Sequence, residues 1–188
     1  MKTRMPFGMI EATGLPVAGK VKAARRESRK RVRKVNLRAA FNPRRAMEGL
    51  DLPLPEGAVR LVLPWPPSQL NPNARVGHPA RKAKYARDYR QVCWSETLAT
   101  FGCDGGRRLF PGTGRLAIRL DLFPPDRRVR DDDNAESAFK AGRDGVADAL
   151  KVDDARFQMN RFLHIDSPRA CVVLTFLCAS TCTSTPSN

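Results

Sequence analysis

The chain is predicted to fold as an α/β (α+β) domain, a mixed sheet of about four strands covered by two helices in the order β-α-β-α-β-β. Three patterns carry that expectation. Leu116, Ile118, Leu120 and Leu122 alternate with other residues at the strand period. Ala135, Ala138, Phe139, Gly142, Val146, Ala149 and Leu150 fall on one side of a helix. Residues 170–178 are almost continuously apolar, as in a strand buried on both faces.

Taken in order, residues 1–58 read as a basic, largely disordered arm. They hold fourteen Lys and Arg against five Asp and Glu, so they carry +9 of the chain's +15. Their apolar residues are few and lack a sustained period. The densest basic run spans Arg25 to Lys34, and a helix around residues 20–40 is expected when phosphate is bound. Gly14 to Lys20 reads G-L-P-V-A-G-K, near a phosphate-binding loop, but Val21 stands where the metal-binding Ser or Thr belongs. No nucleotide cofactor is expected.

The compact part is expected to start near Val59, where Val59, Leu61 and Leu63 alternate up to Pro64. The Pro-rich stretch after Trp65 makes a loop. From about Ala80 to Thr100 the pattern is helical, with Tyr85, Tyr89, Val92 and Cys93 on one face. Lys82, Lys84 and several arginines gather toward its start. Residues 101–114 read as a loop, residues 116–122 as a strand ended by Pro124-Pro125, and residues 134–150 as the second helix. A turn at 151–154 leads to a strand at 157–165, then the strand at 170–178, and residues 179–188 form a Ser/Thr-rich flexible tail.

With 188 residues the chain can bury a core. A net charge of +15 favours an anionic partner such as nucleic acid. No apolar run is long enough for a membrane-spanning helix, and no secretory leader is apparent, so a cytoplasmic protein without membrane contact is expected. The five cysteines include no Cys-x-x-Cys pair, which argues against a zinc site; Cys93 and Cys171 read as small core residues.

The chemistry concentrates at residues 124–134, P-P-D-R-R-V-R-D-D-D-N, between a strand end and a helix start. Hard cations such as Mg²⁺ take carboxylate oxygens together with substrate phosphate. In an extended segment Asp131 and Asp133 point the same way and share a metal, while Asp132 points away. A third acid is expected from Asp153-Asp154, if helix and turn return the chain to the same sheet edge. Such a site hydrolyses a phosphodiester, with Arg127, Arg128 and Arg130 on flanking phosphates. The plainer alternative makes Asp133 or Asn134 a helix N-cap, with Glu136 completing a capping box. Lys140, seven residues after Asp133, projects from roughly the same face. It reads either as a donor to the scissile phosphate or as half of a Glu136–Lys140 pair. His164 has no partner visible in the sequence.

Three segments, L-P-W-P-P-S at 63–68, P-D-R-R-V-R-D-D-D-N at 125–134 and D-D at 153–154, resemble the RusA family of Holliday junction resolvases. The resemblance covers roughly residues 59–177 and excludes the arm. It implies a RusA-like nuclease domain over 59–178 that cuts four-way DNA junctions as a homodimer with Mg²⁺ or Mn²⁺. It also implies three aspartates per site, at Asp131, Asp133 and Asp154. The family lysine maps to Lys140, although it usually comes sooner after the acids and Ser137 holds that nearer place. Lys82, Lys84 and the three arginines are the expected DNA contacts, and a phage origin fits the resemblance. The competing readings are a general branched-DNA nuclease and a non-catalytic DNA-binding protein.

Overall fold

A computed structural model describes residues 41–177. The expectations for the basic run, the Gly14–Lys20 loop and the C-terminal tail lie outside these residues.

Four strands form one mixed sheet: β1 (Val59–Pro64), β2 (Leu116–Phe123), β3 (Phe157–Leu163) and β4 (Cys171–Leu177). Their spatial order is β1-β4-β2-β3. β4 runs antiparallel to both neighbours, while β2 and β3 are parallel, with Leu116 beside Phe157 and Leu122 beside Leu163. The expected mixed sheet with two covering helices is therefore observed. β4 lies inside the sheet, which explains its almost continuous apolar run, interrupted by Thr175: six of its seven residues are buried.

Two long helices cover one face: α2 (Pro79–Phe101) and α4 (Asp132–Leu150). Two short helices, α1 (Pro43–Met47) and α3 (Gly105–Leu109), sit in stretches read as irregular from the sequence. α2 starts where His78 Nδ1 accepts a hydrogen bond from the Ala80 amide and Pro79 presets the first turn. Leu61, Leu63, Ile118, Leu120, Leu122, Val172 and Leu174 point from the sheet into the core, where they meet Tyr89, Cys93, Phe139 and Val146 from the helices. Tyr89 is fully buried and donates its hydroxyl to the Pro64 carbonyl at 2.8 Å. α2 and α4 cross closely at Gly145, where an added Cβ would stand 2.3 Å from the Arg90 carbonyl oxygen.

The opposite face corrects one boundary. Phe41, Ala46, Met47, Leu50 and Leu52 pack against Phe123, Cys171, Val173 and Val62. Arg60 donates to the Leu52 carbonyl at 2.9 Å, and Arg169 donates to the Glu48 carbonyl at 2.6 Å. Residues 41–58 thus belong to the folded unit rather than to a disordered arm. Their few apolar side chains suffice because they cover only part of one sheet face, so no helical or strand period is needed. Among the described residues no helix is long and apolar enough to cross a membrane.

Candidate functional site

β2, α4 and β3 form a parallel crossover, and this topology decides where the acids lie. α4 starts beyond the C-terminal end of β2 and runs back to the N-terminal start of β3. Its 19 residues span roughly 28 Å. Asp131 and Asp133 therefore sit at the C-terminal ends of the parallel strands and Asp154 at their N-terminal ends, three positions before Phe157. The expectation that helix and turn bring Asp154 back to the same end is not met. A parallel pair needs such an end-to-end return, and the sequence does not reveal strand direction.

The local geometry of the acid run also differs. α4 begins at Asp132, two residues earlier than its apolar pattern suggests, so Asp133 lies in a helix rather than in an extended segment. Asp131 stays extended as the N-cap while Asp133 is helical, so the i, i+2 spacing of a strand no longer aligns them, and each carboxylate has its own partner. Asp131 takes the N-cap position yet makes no side-chain cap bond. Its Oδ2 instead accepts from Asn134 Nδ2 at 2.9 Å. The capping box centred on Asp133 or Asn134 is not formed either, because Glu136 is held by Arg161 of β3.

Each of the other two acids has an arginine. Asp133 Oδ1 is 2.6 Å from Arg161 Nη2, and Asp154 Oδ2 is 3.1 Å from Arg143 Nη2. Glu136 through its hydrogen bond, then Asp133 through its charge, push the Arg161 guanidinium further up from its ordinary value. Asp133 remains 82% exposed and Asp154 41% exposed. Carboxylates suit a hard cation chemically. Among the described residues, however, no three His, Cys, Asp or Glu side chains are grouped closely enough to hold one metal ion. The three aspartates of a single chain do not make a metal set, because Asp154 lies at the opposite end of the strands.

Among the arginines, Arg127 and Arg128 stand open to solvent. Arg130 does not: it bonds Asp126 Oδ1 at 2.6 Å and the carbonyls of Asp126 and Arg128 at 3.0 Å, with its guanidinium 5.9 Å from the Trp65 ring. It pins the 124–131 loop rather than presenting a free charge. The hydrogen bond from Arg130, with that from the Arg128 amide, holds Asp126 below the usual carboxylate range. Lys84 pairs with Asp88 along α2. Lys82 is half-buried and reaches only to the Asn71 carbonyl at 3.5 Å.

Lys140 is not paired with Glu136, which Arg161 has taken. It lies between two hollows. One, of about 400 Å³, is lined by Arg90, Lys140, Asp144, Asp148, Asp153 and Asp154. The other, of about 270 Å³, lies between α2 and α4 and is lined by Lys82, Ser137, Lys140 and Asp144 over an apolar floor.

One constellation escaped the sequence reading. Asp121, on β2, is fully buried and holds His164 Nε2 at 2.7 Å and Arg119 Nε at 2.9 Å. His164 stacks on Phe123 at 4.4 Å, and Arg119 lies 4.5 Å from the Phe162 ring centre. His164 thus has a partner after all. The available signal was an Arg and an Asp two apart, Arg119 and Asp121, within a strand of otherwise apolar residues, and the His164 partner lies 43 positions from Asp121.

No known protein-family profile matches the chain. A protein of Xylella fastidiosa (strain Temecula1 / ATCC 700964), described as an uncharacterized protein, is 44% identical over 97 residues, 52% of this chain. The match covers 61% of that relative's length. A solved structure, the CDP complex of IspF from Plasmodium falciparum, aligns with a TM-score of 0.24 at 9% identity, over 64% of this chain and 89% of that one.

Proposed function

We propose that the protein is a structure-specific endodeoxyribonuclease that resolves four-way DNA junctions by metal-dependent phosphodiester hydrolysis, acting as a homodimer with Mg²⁺ or Mn²⁺. The observation that carries this reading is Asp131. An aspartate at an N-cap ordinarily satisfies a backbone amide of the first turn, and this one does not. Its carboxylate, the exposed Asp133 and the solvent-facing Arg127 and Arg128 share one loop-to-helix junction on a strongly basic chain. A protein that merely binds DNA gains nothing from exposed acids beside its phosphate-binding arginines, since they repel the strand.

The placement of Asp154 supports the dimer. β3 is an edge strand, and no further strand flanks it among the described residues. Arg161 of β3 touches Asp133, so Asp133 borders that edge. A second copy paired antiparallel along β3 sets the partner's Asp154 toward Asp131 and Asp133 of the first copy, and the reverse. Two equivalent acid sets then arise on a two-fold axis, which suits paired incisions in a two-fold junction. Arg127 and Arg128 bind flanking phosphates and fix the strand's register.

The test is cleavage of a labelled four-way junction with Mg²⁺ and, separately, Mn²⁺, against a fork and a linear duplex. Paired symmetric cuts in the junction alone support the resolvase. Equal cutting of all three identifies a general branched-DNA nuclease. Binding without cutting under either metal retires the enzyme reading in favour of a DNA-binding protein.

A further inference from the structure

We infer that the cleft between α2 and α4 is a binding site for a backbone phosphate of a DNA strand, held jointly by Lys82 and Lys140. The inference rests on the reading of the chain as a binder of branched DNA, and it moves Lys140 from catalysis to strand holding.

Four observations lead there. Lys82 comes from α2 and Lys140 from α4, yet both line one hollow of about 270 Å³. Lys140 has no ion pair or hydrogen bond to any described residue, and the single contact of Lys82 is a carbonyl at the 3.5 Å limit. Asp144 also lines this hollow, so its own lining carries two lysines against one aspartate; on the other side of Lys140, Asp148 and Asp154 are already paired with Arg90 and Arg143. A phosphate seated between two ammonium groups is attracted by both.

The remaining lining selects a strand over a free ion. Leu70, Ala138 and Ala141 make an apolar floor, which suits the carbon skeleton of a sugar and is of no use to inorganic phosphate. Ser137 adds a hydroxyl at the rim. Along α4, Ser137 and Lys140 follow Asp133 by one and two turns, which puts Lys140 about 10 Å from it along the helix axis. That distance corresponds to roughly three nucleotide steps of duplex. The cleft therefore holds the strand beside the acid site, not at it.

The experiment measures binding of the full-length protein to a labelled four-way junction in EDTA, so that no cutting occurs, across a salt series. The variants are Lys82→Ala, Lys140→Ala and the double variant. Because both lysines serve one phosphate, each single change weakens binding several-fold. The double variant then loses less than the product of the two losses, and its log–log salt slope falls by about 0.9. A slope change near 1.8 with multiplicative losses means two separate phosphates and overturns the proposal. Unchanged junction binding also overturns it and leaves the cleft to a free anion. So does a Lys140→Ala protein that binds normally but cuts slowly with Mg²⁺, since that returns Lys140 to catalysis. Failure of the wild-type protein to cut, with these binding effects present, removes the nuclease reading while the phosphate site stands.

Discussion

Asp133, at the start of α4, and Arg161, on the edge strand β3, are joined by a 2.6 Å ion pair that ties the helix start to the edge of the sheet. The same guanidinium also holds Glu136. The pair places one acid of the proposed site at the edge where a second copy would dock.

Replacing Asp133 separates its roles. Asp133→Asn is expected to lower junction cleavage roughly a hundredfold or more. Its effect on stability should stay below about 1 kcal/mol, because the carboxylate is 82% exposed and its ion pair is well hydrated. Single-turnover cleavage and urea unfolding on the same preparation check both halves.

Asp133→Asn and Asp154→Asn proteins are each expected to be inactive alone and to recover activity when unfolded together and co-refolded. In a mixed dimer built across two copies, one acid set keeps all its aspartates while the other loses two. Recovered nicking of one strand supports the shared site. A mixture as inactive as its parents places all three acids in one chain, contrary to the separation imposed by α4.

Asp121→Ala is expected to cost about 3 kcal/mol of folding stability, at the lower end for breaking a buried ion pair. Arg119 and His164 lose their shared carboxylate, but their side chains keep 30% and 29% exposure to water, which softens the loss. Denaturant titration gives the value; a change below half a kcal/mol would mean that the cluster holds nothing together.

Gly145→Ala should destabilise by about 1–3 kcal/mol, since its methyl would stand 2.3 Å from the Arg90 carbonyl oxygen, a backbone atom that cannot move alone. The thermal midpoint reads this directly. Gly114, where an added Cβ meets nothing within 4 Å, is the matched control.

Burial pushes the Cys93 thiol up to about 12 and the Cys171 thiol up to about 11. Both stay protonated in the fold at pH values where an unfolded thiol has ionised. The stability they contribute is complete below the unfolded value, about 8.5. It is lost as pH rises toward 11 and 12, by at most about 1.4 kcal/mol per pH unit for each thiol. Alkaline unfolding midpoints should show that decline. At pH 8 an alkylating reagent should label the exposed Cys103 and spare Cys93 and Cys171 until the protein is unfolded.

The sequence by itself determined the α/β class, both long helices and all four strands, because each follows from a local period of apolar residues that burial on one or two faces demands. Leu116 to Leu122 had to be a strand whatever lay beside it, and the acid run had to follow its end. It also singled out Asp131, Asp133 and Asp154 as candidates, through a pattern of residue types. Tertiary structure alone decided how those residues are arranged. The parallel pairing of β2 and β3 sends Asp154 to the opposite end of the strands. An early helix start takes Asp133 out of the extended segment that holds Asp131. The sheet's back face recruits residues 41–52, and Asp121 finds His164 across the end of β3. Strand direction, helix start and cross-strand partners depend on contacts between residues distant in the chain, and no local period encodes them.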